Sequence, residues 1–134
     1  MPIVIETSAL VALYKNEAEA DRIWLILRGG EDLLLPASCY LEITMVLRTE
    51  PSSRRWLDKL IERYEVAILG SDPRQARLAA DAFERFGRGS SHPARLNFGD
   101  CLAYAAARAL DAPLLFKGED FAQTDARSAL AAEA

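Results

Sequence analysis

Pro2-Ile3-Val4-Ile5-Glu6-Thr7-Ser8-Ala9-Leu10 opens the chain, and its reading decides the fold. Residues 2–6 are a short apolar run with β-branched side chains, which reads as a buried strand. An acid ends the run. Thr7 and Ser8 then offer helix N-caps, and residues 9–14 form a short helix. The alternation recurs along the chain. Residues 32–35 are a second strand closed by Pro36, followed by a helix over 37–48. Residues 65–69 are a third strand. Ser71-Asp72-Pro73 then starts a helix running to about residue 86, with proline near its first position. Residues 113–116 are the fourth strand. Further helices cover 17–28, ended by Gly29-Gly30, and 98–110, capped by Asn97. Another follows Ser52 or Ser53 and carries Trp56, Leu57, Leu60 and Ile61. Strands alternating with helices predict a three-layer α/β/α sandwich around a central parallel sheet. Residues 1–134 are expected to form one domain, with 126–134 a helical or frayed tail.

About half of the 134 residues are apolar, and the formal charge is −4. No global basic field advertises nucleic acid, although a local basic rim with a cation can bind it. Cys39 and Cys101 lie in apolar helical runs, so both are expected to be buried thiols in a reducing cytoplasm. The first apolar run lacks a preceding basic region and does not read as a secretory signal. No stretch approaches the ~20 apolar residues of a membrane helix.

Four acids occupy the places where a parallel sheet gathers ligands, beyond the carboxyl ends of its strands. Glu6 ends the first run. Glu42 follows the second and has no Lys or Arg at helical spacing to pair with it. Asp100 opens an alanine-rich helix, and Asp120 follows the fourth strand. Each has a plain alternative: Glu6 can accept from the next helix's N–H groups, Asp100 can close a capping box with Asn97, and Asp120 can serve a turn. Glu42 can reach solvent or a distant arginine. Glu119 can substitute for Asp120, and Asp125 reads as an N-cap. Jointly, acids without interleaved cations repel one another unless a hard cation binds, which suits Mg²⁺ or Mn²⁺. No competing catalytic set is visible. There is no nucleophile elbow, CxxC, phosphate loop or dinucleotide fingerprint, and His92 lies in a loop beside Pro93.

Ile3-Val4-Ile5-Glu6-Thr7-Ser8-Ala9-Leu10 resembles the N-terminal motif of PIN-domain ribonucleases. Arg95-Leu96-Asn97-Phe98-Gly99-Asp100-Cys101-Leu102-Ala103-Tyr104-Ala105 is similar to a segment typical of the VapC toxins, and residues 114–125 match that subgroup's C-terminal motif. The resemblance covers essentially the whole chain. It implies a PIN fold, an Mg²⁺- or Mn²⁺-dependent endoribonuclease acting as toxin in a type II toxin–antitoxin system, and a VapB-like antitoxin partner. The site it carries over is Glu6, Glu42, Asp100 and Asp120, with Thr7 or Ser8 as a nearby hydroxyl. Glu6, Asp100 and Asp120 are expected to hold the metal. The family places aspartate where this chain has Glu6, and the extra methylene shifts a ligand oxygen by roughly 1 Å, a displacement that can cost ~10²-fold in rate. The competing expectation is therefore a catalytically weakened PIN-like protein kept for binding. A phosphoryl-accepting domain fits poorly, since glutamate is a poor acceptor there.

Arg88, Arg95 and Lys117 flank the acids in sequence and are the expected RNA contacts, with Arg54 and Arg55 secondary. A groove between the helices of Trp24 and Trp56 is the expected seat for an antitoxin helix, and a homodimer is expected from the prevalence of such assemblies.

Overall fold

A computed structural model describes residues 1–130. Four strands, β1 (Pro2–Ile5), β2 (Asp32–Pro36), β3 (Ala67–Leu69) and β4 (Leu114–Leu115), form one sheet in the order β3-β2-β1-β4. Every pairing is parallel, with Val4 opposite Leu34 on one side and Leu114 on the other. Among the described residues six α-helices flank the sheet: α1 (Thr7–Tyr14), α2 (Ala20–Leu27), α3 (Ala37–Val46), α4 (Ser53–Arg63), α5 (Pro73–Phe86) and α6 (Phe98–Ala109). The expected α/β/α architecture is thus present. The strands are continuous apolar runs because both faces of a parallel sheet are covered. Val4, Ile5, Leu35, Leu114 and Leu115 are completely buried.

Strand order places the site. From β1 the chain steps to β2 and then β3, and only afterwards crosses to the other side of β1 as β4. The carboxyl ends of β1 and β4 therefore meet where the winding reverses, the position at which such sheets form a crevice.

Local chemistry sets the entries to the helices. Asp72 caps α5 by accepting from the Gln75 amide at 2.8 Å, with Pro73 at the first helical position. The N-cap of α1 is Glu6, one residue before the expected Thr7 or Ser8, and its carboxylate accepts from the Ser8 amide at 2.8 Å. The loop after α5 is closed by a bridge between Gly87 and Leu96, with Arg88 donating its amide to the Leu96 carbonyl at 3.1 Å. That closure delivers the chain to α6.

The expected frayed tail is corrected for residues 126–130. Leu114 donates its amide to Arg127 at 2.7 Å, and Ala129 donates to Leu114 at 2.9 Å, so this segment pairs with the free edge of β4. Ala129 and Leu130 are buried, and Arg22 donates to the Leu130 carbonyl at 3.0 Å. An exposed sheet edge rewards such pairing, which alanine content alone does not reveal. The rest of the expected tail, 131–134, lies outside the described residues. Ending the chain after Ala126 should lower unfolding free energy by about 2–4 kcal/mol, from lost ladder bonds and apolar burial. Urea unfolding midpoints check this; an unchanged midpoint would show that the edge pairing contributes nothing.

Candidate active site

Glu6 emerges from the end of β1 with only 4% of its surface exposed. Its Oε2 accepts from the Ser8 amide at 2.8 Å and from Ser8 Oγ at 2.5 Å. Burial raises its pKa to about 7; the Ser8 bonds oppose the rise, and the charges of Asp100 and Glu42 add to it. The plain reading of Glu6 is realised, since its carboxylate caps α1, and the same carboxylate lies within electrostatic range of Asp100 and Glu42.

Glu42 stands on α3. Its Oε1 accepts from Thr7 Oγ1 at 2.5 Å. Its carboxylate also lies against Gly99 at the N-terminus of α6, where a Cβ would fall 2.8 Å from Oε2. Gly99 is therefore needed for room, because the space beside its backbone is filled by Glu42. The helix terminus offers partial positive charge to that carboxylate. Around Glu42 on α3, Cys39 is buried, but Met45 and Val46 are about half exposed.

Asp100 closes a capping box. Its Oδ2 accepts from the Asn97 amide at 3.0 Å, and Asn97 Oδ1 accepts from the Asp100 amide at 2.8 Å. The box occupies one carboxylate oxygen for capping. Burial pushes the Asp100 pKa up; the Asn97 amide and the charge of Arg88 oppose this, while Glu42 and Asp120 add to it. Asp120 is exposed on the loop after β4, within electrostatic range of Asp100. The acids named from the sequence are thus linked through Asp100 and Glu6: Glu6 is within range of Asp100 and Glu42, Asp100 of Glu42 and Asp120, and they come from the end of β1, α3, α6 and the loop after β4.

The flanking residues sort themselves by their contacts. Arg88 is exposed and acts on Asp100, and Arg95 is exposed on the same loop. Lys117 is different: its amide donates to Ser8 Oγ at 2.9 Å, while its ammonium pairs with Glu17 at 2.8 Å and lies 3.7 Å from Glu19. Its side chain is held by the α1–α2 loop. Arg54 faces Tyr40 and Asp58. Asp125 is held by Tyr104 and lies near Arg85 and Arg108. His92 accepts the Ala94 amide on Nδ1 and packs its ring edge-on against Phe86. Cys39 and Cys101 are free and buried, and burial, with the nearby Glu6 charge, pushes the Cys39 thiol up to about 12. The Ser8–Lys117 link was invisible in the sequence, because no local spacing connects residues 109 positions apart.

The donor set is entirely oxygen, which suits a hard divalent cation. Among the described residues no three Asp, Glu, His or Cys side chains close into a ready cage.

The PIN-domain family model matches residues 3–127. Ribonuclease VapC28 of Mycobacterium tuberculosis is 44% identical over 130 residues, covering 96% of this chain and 98% of that protein. Ribonuclease VapC42 of the same species is 39% identical over 129 residues, covering 95% and 98%. Among solved structures, VapBC-1 from nontypeable Haemophilus influenzae superposes with a TM-score of 0.69 at 21% identity, covering 96% of each chain. The sarcin-ricin loop cleaving toxin VapC20 of Mycobacterium tuberculosis gives 0.67 at 18% identity, covering 90% and 92%. The VapBC2 complex from Rickettsia felis, bound to a promoter DNA fragment, gives 0.70 at 11% identity, covering 96% of each chain. The chain belongs to the PIN-domain family, among the VapC ribonucleases.

The raised pKa of Glu6 has a consequence for stability without metal. Its folded value of about 7 exceeds its unfolded value of 4.5, so its contribution is full below pH 4.5 and is lost as pH rises towards about 7. Between pH 5.5 and 8, in chelator, the parent should lose about 2 kcal/mol more unfolding free energy than Glu6→Gln. Parallel losses in both proteins, measured by urea titration, would show that Glu6 does not carry this dependence.

Proposed function

We propose that this VapC-type toxin endoribonuclease hydrolyses RNA phosphodiester bonds at a divalent cation held by Glu6, Asp100 and Asp120, with Glu42 supporting that shell. The observation that carries the reading is the convergence of four acids, with Arg88 acting on Asp100, where β1 and β4 end. When bound, Mg²⁺, or Mn²⁺ in its place, supplies a Lewis acid for the scissile phosphate and the attacking water. The chain's own residues pre-orient the site: Thr7 holds Glu42, Ser8 holds Glu6, and the Asn97 box holds Asp100. Water attacks phosphorus in line and its proton passes to a carboxylate; the P–O3′ bond breaks and the departing 3′ oxygen takes a proton from solvent, giving a 5′-phosphate and a 3′-hydroxyl. A carboxylate takes the proton because His92, the only histidine, is committed to Ala94 and Phe86. Arg88 and Arg95 supply phosphate contacts, joined by Lys117 once it leaves Glu17. Single-stranded or looped RNA is the form such a cleft reads.

The VapBC complexes among the structural neighbours support a VapB-like antitoxin partner. Its proposed seat is a cavity of about 290 Å³ between α2 and α4, where Trp24, Trp56 and Tyr64 are rimmed by Arg28, Lys59 and Arg63. An amphipathic helix with an apolar ridge and acidic flanks fits an aromatic floor with a cationic rim. A homodimer is supported by exposed apolar surface. Phe83 and Phe98 line a cavity of about 480 Å³ between α5 and α6, and Leu41, Met45 and Val46 lie exposed on α3. Among the described residues no helix is long and apolar enough to cross a membrane. The cytoplasm is the proposed compartment, in keeping with two free buried thiols.

The Ser8 grip on the longer Glu6 side chain favours one second reading, a weakened enzyme kept for binding. Cleavage of a structured RNA in Mn²⁺ separates the two. The parent should cleave, chelator should stop it, and Asp100→Asn should lose on the order of 10²-fold or more in rate. A silent parent alongside an active Glu6→Asp variant would establish the weakened reading instead.

A further inference from the structure

The chain between α5 and α6 is tightly built. Its base is closed by the Gly87–Leu96 bridge, and the Leu96 amide donates to the Phe86 carbonyl at 2.9 Å. Inside it, Ser90 Oγ donates to the Gly87 carbonyl at 2.6 Å, and the Ala94 amide donates to His92 Nδ1 at 3.0 Å. Ala94 and Leu96 are fully buried beneath it. Ser91 and Arg95 take positive φ values of 69° and 51°, which their side chains disfavour and the surrounding bonds must hold.

This loop carries three polar groups. Arg88 and Arg95 are exposed, and among the described residues neither guanidinium closes an ion pair, unlike Arg85, Arg108 and Arg127. His92 is half-buried, its ring set by the Ala94 bond and by the Phe86 ring at 4.9 Å. Because Nδ1 accepts a bond, the neutral ring carries its proton on Nε2. Nε2 has no protein partner, yet it is open to solvent: among the described residues the one buried side-chain polar atom without a partner is Glu19 Oε1. A donor of fixed direction thus stands on the same loop as two free guanidinium groups. The loop leads directly into Asn97, which closes the box with Asp100, so these groups lie beside the acids.

We propose that His92 is a substrate-binding residue whose Nε2–H donates to a backbone oxygen, phosphate or ribose, of the RNA strand that Arg88 and Arg95 hold beside the acids. This rests on the RNA-cleaving reading above. The role is binding, since the neutral ring, with Nδ1 occupied, offers no lone pair to a reacting water.

Fluorescence anisotropy with a fluorescein-labelled RNA hairpin, in chelator so that nothing is cut, tests the proposal. His92→Asn keeps an acceptor for the Ala94 amide and loses the donor. It should bind roughly 3–10-fold more weakly, the usual effect of one hydrogen bond, with the salt dependence of the parent. Arg88→Ala and Arg95→Ala should each reduce the slope of log affinity against log salt by about 0.7. His92→Gln, which offers an N–H near the place of Nε2 but no acceptor for Ala94, should bind more tightly than His92→Asn. With Mn²⁺ present, His92→Asn should raise KM by the same factor and leave kcat near that of the parent. A DNA hairpin of the same sequence locates the acceptor: an equal loss means phosphate, and a loss confined to RNA means the 2′-hydroxyl. Parent-like RNA affinity in His92→Asn would overturn the proposal, as would weaker binding by His92→Gln than by His92→Asn, the mark of a loop staple. A reduced salt slope in His92→Asn would also overturn it, because loop collapse would then explain the loss. So would a fall in kcat at unchanged KM. RNA that the parent neither binds nor cuts would instead remove the RNA-cleaving reading itself.

Discussion

A nearly buried carboxylate facing two others is the constraint on which the rest of this structure depends. Glu6 cannot keep a full charge there without compensation, and the protein supplies only part of it. Ser8 gives two hydrogen bonds, and burial still holds the pKa near 7. The other acids are handled in the same partial way. Glu42 has one hydroxyl donor and a helix terminus, and Asp100 has a backbone amide and the field of Arg88. Charge is thus gathered and oriented but left under-neutralised. That incomplete neutralisation is what the proposed divalent cation would relieve.

The fold makes this gathering possible without long-range design of each contact. Reversal of winding at β1 brings the ends of β1 and β4 together. α3 and α6 then bring Glu42 and Asp100 to that point, and Gly99 allows the two helices to approach closely enough for the carboxylate to fit. The Gly87–Leu96 bridge sets where α6 begins and, with it, where Arg88 stands.

Much of this could be read from residue order. Apolar runs followed by acids or caps located all four strands, and Asn97-Phe98-Gly99-Asp100 announced its capping box in advance. Element ends were less legible: the strand expected over 113–116 has only Leu114–Leu115 in the ladder. Contacts between distant residues were not legible at all. Nothing near Lys117 in the sequence points to Glu17 or Ser8, and nothing in an alanine-rich tail announces that Arg127 and Ala129 pair with Leu114. Such contacts depend on which surfaces the completed sheet leaves open, so they become visible only with the topology.

The extra methylene at Glu6 gives the site its individual character. A shorter acid is the family's choice, and here the longer one folds back onto Ser8 while still facing Asp100 and Glu42. The central claim is that this carboxylate nevertheless holds metal together with Asp100 and Asp120. Anomalous diffraction from Mn²⁺-soaked crystals tests it most directly. The account predicts an ion between these three acids, bound directly at about 2.0–2.5 Å or through one water. An ion bound elsewhere with Glu6 still folded onto Ser8, or no ion at saturating Mn²⁺, would contradict it.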